Sequence, residues 1–210
     1  MSIIKRFINW ITRLFSREKE ITLGFYGEPN VGKTSLANRI SIDLTGEPVG
    51  SVSIIPHETR SVVKKEKVVV ELKNVKLVMN LLDMPGMAIK VDYRDFMNYG
   101  MTYEQAQIRA KEATRGIIEA IKHLEHVDTA LLVMDATVEP DSQINYILLG
   151  NLEARNIPVI IVANKIDRED AKPELIRERF KGYPVVEVSA LTGKNMEQLY
   201  AKIEEVSRRR

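Results

Sequence analysis

The apolar run Ile21-Thr22-Leu23-Gly24-Phe25-Tyr26 passes directly into Gly27-Glu28-Pro29-Asn30-Val31-Gly32-Lys33-Thr34, and this junction constrains the chain more than any other feature. The run reads as a buried strand, and a helical pattern follows at about 33 to 42, so the two glycines sit in a strand-to-helix turn. Glycines at those positions let the backbone curl until successive N–H groups point inward, and the helix N-terminus adds positive potential at the same place. A lysine directly after the second glycine reaches the outer groups of a phosphate chain, and the hydroxyl of Thr34 can ligate magnesium. A loop of this make holds phosphates.

The rest of the chain repeats the strand-helix rhythm. An apolar strand at 20 to 26, the glycine loop and its helix are followed by a Ser-, Thr-, Gly- and Pro-rich loop from 43 to 61. Two strands, 62 to 72 and 76 to 82, form a hairpin around Lys73-Asn74-Val75. After Asp83 an irregular polar and aromatic stretch runs to about 101, and the capping pattern Thr102-x-x-Gln105 then opens a helix with apolar positions from Ala106 to Leu124. Strand 129 to 135, helix 141 to 155, strand 158 to 163, a short helix begun by Pro173, strand 184 to 188 and a helix at 195 to 207 complete the pattern. Alternation of this kind predicts a three-layer α/β fold: a mostly parallel six-stranded sheet with one antiparallel edge strand, covered by helices on both faces.

Asn164-Lys165-Ile166-Asp167 follows the buried-strand run Ile157 to Ala163, at the C-terminal edge of the sheet where ligands of such folds lie. A carboxylate there accepts from both the ring N–H and the amino group of guanine, whereas the ring nitrogen of adenine is itself an acceptor and is repelled. Asp167 is therefore the discriminating residue. Ser189-Ala190-Leu191 follows the next strand and brings a backbone N–H to where it can donate to the guanine carbonyl. In combination, each after its strand and in this order, the three motifs specify a guanine nucleotide.

These elements resemble the translation-factor class of P-loop GTPases, and the wording GEPNVGKTSL is most similar to the Era/Obg branch, over residues 20 to 207. The resemblance implies GTP and GDP as ligands with Mg2+ as cofactor. It implies a nucleotide site lined by Glu28, Pro29, Asn30, Val31, Gly32, Lys33, Thr34 and Ser35, by Asn164, Lys165 and Asp167, and by Ser189, Ala190 and Leu191. Asp83-Met84-Pro85-Gly86 resembles the family's D-x-P-G element, which makes Asp83 a water-mediated magnesium ligand and the Gly86 N–H a sensor of the γ-phosphate. Thr59, before Arg60, is similar to the switch threonine that joins Thr34 and Asp83 at the metal; the same loop also offers Thr45, Ser51 and Ser53, and the resemblance favours Thr59. The catalytic set implied is Lys33, Thr59, Gly86 and Asn30. Where Ras-like proteins place a water-orienting glutamine this chain has Met87, so slow intrinsic hydrolysis is expected. An Asn at position 30 is compatible with K+ stimulation, and equally with simple tolerance of an unusual loop backbone.

Ahead of the domain, Ile3, Ile4, Phe7, Ile8, Trp10, Ile11, Leu14 and Phe15 share one face of a helix from about 2 to 17, with Lys5, Arg6, Arg13 and Arg17 on the other. The division expected is an amphipathic helix at 1 to 19 and a GTPase domain at 20 to 210 with an extended switch II region at 84 to 103. Such a helix suits the headgroup layer of an anionic membrane through residues 1 to 17; packing on the domain and docking on a partner protein are the other two readings. A formal net charge of +2 argues for no global attraction to polyanions, and cysteine is absent, which removes thiolate chemistry and disulfides. The chain is expected to be cytoplasmic, peripheral at the inner membrane face if the helix anchors it. An effector or activating protein is expected at 43 to 61 and 84 to 103, while nucleic acid is not expected because the chain ends with the last GTPase helix. Oligomeric state stays open. Three function classes remain: a hydrolysing switch, a ribosome- or RNA-associated GTPase, and a GTP-binding module with negligible turnover.

Overall fold

The computed structural model describes residues 5, 7–9, 20–48, 52–54, 64–72, 75–83, 97, 100–105, 107–108 and 127–207. In chain order the elements are β1 (Glu20–Gly27), α1 (Lys33–Thr45), β2 (Val52–Ile54), β3 (Lys64–Leu72), β4 (Val75–Asp83), β5 (Thr129–Asp135), α2 (Gln143–Ala154), β6 (Val159–Asn164), α3 (Pro173–Arg179), β7 (Val185–Glu187) and α4 (Met196–Ser207). The strands form one sheet in the order β2-β3-β4-β1-β5-β6-β7. β1 pairs in parallel with β4 and β5, and the parallel run continues through β6 to β7. β3 is antiparallel to both β4 and β2, so it alone runs against the others.

The six expected strands are all present, and β2 adds a seventh outside β3. It falls inside the segment read as loop, because three residues are too few to display a period of two. Elsewhere among the described residues the differences lie at element ends: α1 continues to Thr45, where Gly46 stops it in the left-handed conformation and its N–H closes on Ile42 O at 2.8 Å. Most of the helix expected after Thr102, from 109 to 124, lies outside the described residues. The capping pattern at Thr102 forms as read, with Gln105 N–H donating to Thr102 Oγ1 and Thr102 N–H to Gln105 Oε1.

Alternation along the strands builds two cores. On one face Leu23 and Phe25 of β1 pack with Leu36 and Ile40 of α1 and with Leu199 and Ile203 of α4. On the other, Tyr26, Leu132 and Ile161 pack with Leu148 and Leu152 of α2 and Ile176 of α3. β5 and β6 are buried along nearly their whole length, as strands covered on both faces must be.

Residues 5 and 7–9 are helical, and Phe7, only 2% exposed, belongs to the first core. Its ring stacks on Tyr200 of α4 with centroids 4.8 Å apart. The Tyr200 hydroxyl donates to Asp43 Oδ2 at 2.7 Å, and the other oxygen of Asp43 lies 3.0 Å from Arg39 Nε. Burial first, and then the Asp43 carboxylate, push the Tyr200 phenol far above its ordinary range. The described part of the amino-terminal segment thus packs on its own domain. Ile3, Ile4, Trp10, Ile11, Leu14 and Phe15, the remainder of the apolar face, lie outside the described residues.

Phe7→Ala is expected to lower the unfolding free energy by about 3 kcal/mol, the usual scale for emptying a buried phenylalanine site. Lys5→Ala, at an exposed position on the same turn, should change it by less than about 0.5 kcal/mol. Urea denaturation of the two variants checks the pair.

Candidate functional site

Strand register brings the sequence motifs to one edge. Gly27 ends β1 opposite Asp83 at the end of β4, and Asp135 ends β5 opposite Asn164 at the end of β6. This is the carboxyl edge of the parallel sheet, where the chain leaves each strand for a loop.

The 27–34 loop takes the curled form its glycines allow. Gly27, Asn30 and Gly32 have φ of 144°, 63° and 97°, and Gly32 is the residue at which α1 begins. A Cβ at Gly27 would stand 2.2 Å from the Val133 carbonyl oxygen, so this position must remain glycine for the loop to leave β1 against β5. Asn30 is exposed and left-handed, a conformation asparagine tolerates better than most residues. Thr34 and Ser35 are exposed at the first turn of α1.

Lys33 is 3% exposed, yet it opens a helix. Its ammonium donates to Gly27 O at 3.0 Å and Glu28 O at 2.6 Å, so the loop's own carbonyls hold the charge within the curl. The first turn of α1 carries no acidic residue, whereas α3 and α4 begin with Glu174 and Glu197. The positive end of the helix dipole, with no acidic residue in its own first turn, favours an anion at this place.

Asn164 joins this loop to the rest of the edge. Buried to 2% exposure, its Nδ2 donates to Val31 O at 2.9 Å and its Oδ1 accepts from Ala190 N–H at 3.0 Å. A Cβ on Gly32 would come within 2.4 Å of that Nδ2, so the second glycine of the motif is needed for the bridge as well as for the turn. Of the backbone N–H groups that Ser189-Ala190-Leu191 offers to a ligand carbonyl, that of Ala190 is therefore already engaged by Asn164. Ser189 closes its own turn: its hydroxyl accepts from Thr192 N–H at 3.0 Å and its carbonyl from Gly193 N–H at 2.9 Å. Leu191, 80% exposed, projects beside it.

Lys165 adopts a left-handed φ of 69° and sends its ammonium to Asp135 Oδ2 at 2.5 Å. The second oxygen of Asp135 accepts from both the N–H and the hydroxyl of Thr137, at 2.9 and 2.7 Å. Burial raises the Asp135 carboxyl, but the hydrogen bonds from Lys165 and Thr137 outweigh it and hold the group below the ordinary carboxylate value. Asp167 is exposed, and its carboxylate accepts no hydrogen bond among the described residues.

Of the residues expected at the site, the structure gathers Glu28 to Ser35, Asn164, Lys165, Asp167 and Ser189 to Leu191 along one edge. The backbone of Asp83 reaches that edge beside Gly27; its side chain, with Thr59, Gly86 and Met87, lies outside the described residues. Sequence reasoning passed over Asp135. The available signal was an acidic residue closing the apolar run Thr129 to Met134. Among the described residues no cluster of three or more metal-ligating side chains occurs, and no helix is long and apolar enough to cross a membrane.

A curled glycine loop between strand and helix, tied to a second loop on the same parallel edge, defines a P-loop nucleotide-binding domain. A family model described as "50S ribosome-binding GTPase" matches residues 22–165, and the chain belongs to this family of GTP-binding P-loop GTPases. It is 28% identical to GTPase Der of Clostridium acetobutylicum over 89% of this chain and 39% of that protein. The G domain of the T. maritima FeoB iron transporter aligns with a TM-score of 0.51 and 27% identity, covering 90% of this chain and 99% of that one. Era in complex with MgGDPNP and nucleotides 1506-1542 of 16S ribosomal RNA aligns with a TM-score of 0.56 and 26% identity, covering 90% of this chain and 57% of that one. The chain spans between 32% and 40% of the length of the Der and MnmE relatives it matches. The expectation that nucleic acid is not a partner finds no support in these likenesses, since the Era neighbour is held in complex with RNA.

Asn164→Ala would strand Val31 O and Ala190 N–H in a buried setting. At about 1–3 kcal/mol for each orphaned group, the loss should reach about 3 kcal/mol in a urea titration of the nucleotide-free protein. Because the folded Asp135 is held below its ordinary 3.8, its contribution to stability is present above that pH and is lost as pH falls through the lower folded value. The gap in Tm between wild type and Asp135→Asn is therefore expected at neutral pH, and to shrink as the pH drops below 3.8.

Proposed function

We propose that this chain binds GTP at the described edge, hydrolyses it slowly to GDP and phosphate, and acts as a molecular switch. The observation that carries this reading is the bridge made by Asn164, three residues before Asp167 in the chain, which ties the curled loop that holds Lys33 to the loop after β7. The triphosphate takes the place of the Gly27 and Glu28 carbonyls as the partner of Lys33, and offsets the positive start of α1. Asp167 accepts the guanine N1–H and amino group. Thr34, Asp83 and Thr59 are the residues that would hold Mg2+, which when bound neutralises charge on the β- and γ-phosphates; exposed Thr34 at the head of α1 and the end of β4 beside Gly27 suit that role. Gly86 N–H reports whether the γ-phosphate is present. With Met87 in place of a water-orienting residue, turnover depends on a partner or on K+ held by Asn30.

The partner surface we assign to the switch regions at 43–61 and 84–103. Met97 and Tyr103, with Ile108 just beyond, are exposed apolar side chains there, an arrangement that suits an effector contact. A second reading, ribosome association, draws on the family's description and on the RNA-bound Era neighbour. Reversible membrane attachment through residues 1–17 draws on the division of the amino-terminal helix into apolar and basic faces, and it requires Phe7 to leave Tyr200.

Calorimetry is expected to give tight binding of GTP and GDP and none of ATP, and Asp167→Ala to weaken GDP by about 100-fold through loss of two charge-assisted hydrogen bonds. ATP bound as tightly as GTP would end the proposal. Phosphate release should be faster in K+ than in Na+, and equal rates would remove Asn30 from the catalytic set. Salt-sensitive co-sedimentation with ribosomes would favour the second reading. Liposome co-sedimentation with and without residues 1–17 separates the third.

A further inference from the structure

Asp167 can read guanine only while its carboxylate is unpaired, and two cations stand within two residues of it: Lys165 before and Arg168 after. Both have long, flexible stems, and a free ammonium or guanidinium beside an exposed carboxylate pairs with it. Neither hydrogen-bonds to it here, although the Arg168 charge still acts on Asp167 from a distance. The Lys165 ammonium is drawn to Asp135 at the end of β5, and the Arg168 guanidinium forks onto Asp170, Nε to Oδ1 at 2.9 Å and Nη2 to Oδ2 at 3.2 Å.

We infer that Asp135 and Asp170 are positioning residues for guanine selection: they tie off Lys165 and Arg168, the cations flanking Asp167, and so keep its carboxylate open to the base. The inference rests on the GTP-binding reading above and adds to it two carboxylates that touch no ligand. The two tethers differ in strength. Asp135 is built in, its side chain 13% exposed and its second oxygen fixed by Thr137, and its hydrogen bonds keep it ionised at neutral pH. The Arg168–Asp170 pair is more than half exposed on both sides and yields to solvent more readily. Releasing Lys165 should therefore cost more discrimination than releasing Arg168. A plain structural staple between the ends of β5 and β6 would instead weaken every nucleotide alike.

GDP and inosine diphosphate separate these cases, because they share the ring N–H and differ only in the amino group that the second oxygen of Asp167 accepts. Calorimetry on the full chain is expected to show wild type preferring GDP by about 10-fold or more, the range of one hydrogen bond to a charged group. In Asp135→Asn, which keeps an oxygen for Thr137, that preference should fall at least threefold. Adding Lys165→Met to this variant should restore the preference even where both affinities are lower, since the quenching cation is gone. Asp170→Asn, at an exposed position where folding is not at stake, should reduce the preference about twofold. Equal weakening of both nucleotides in Asp135→Asn, with no restoration by Lys165→Met, would overturn the inference; so would an unchanged preference in Asp170→Asn should Asp135→Asn fail to fold. A wild type that binds the two nucleotides equally would instead bring down the guanine reading itself.

Discussion

One buried amide, that of Asn164, holds together the parts of this site. Its nitrogen donates to the loop that follows β1 and its oxygen accepts from the loop that follows β7, so three segments separated by long stretches of chain meet at a single side chain. An uncharged amide offers a donor and an acceptor on separate atoms, so one side chain can face both ways. Because the group is buried, each hydrogen bond is worth more made than a water-exposed one, and each costs more if lost. The glycine at position 32 is part of the same arrangement, since any side chain there would occupy the space of the Asn164 amide nitrogen.

Around that bridge, positive charge collects at the carboxyl edge of the sheet and is held in check locally. Lys33 rests on loop carbonyls, Lys165 on Asp135 and Arg168 on Asp170, while the start of α1 carries no offsetting carboxylate. An edge arranged in this way is poised for an anionic ligand: the carbonyls around Lys33 are weak partners that phosphate oxygens can replace, whereas Asp135 is a strong one that keeps Lys165 in place.

A line of contacts also runs from the amino-terminal segment to this edge. Phe7 stacks on Tyr200, Tyr200 donates to Asp43, Asp43 pairs with Arg39, and the Arg39 guanidinium lies where a Cβ on Gly193 would stand, in the loop that begins at Ser189. The segment that reads from sequence as amphipathic thus has at least one of its aromatic residues seated in the domain core. Amphipathicity reports that a face seeks apolar surroundings; it does not say whose.

The sequence by itself determined the alternation of strands and helices and the glycine loop with its place between β1 and α1, because each rests on local period or on residue chemistry at short spacing. It also carried the capping pair at Thr102 and Gln105. Only the tertiary structure decided that β2 would add to the sheet, since pairing with β3 depends on a partner strand and not on three residues' own pattern. Likewise, that Ala190 N–H is engaged by Asn164, that Asp135 restrains Lys165 from the neighbouring strand, and that Phe7 is buried on Tyr200 are facts of register and packing between residues far apart in the chain. Short-range chemistry is written in the order of residues; which distant donor meets which acceptor is set only when the sheet aligns its strand ends.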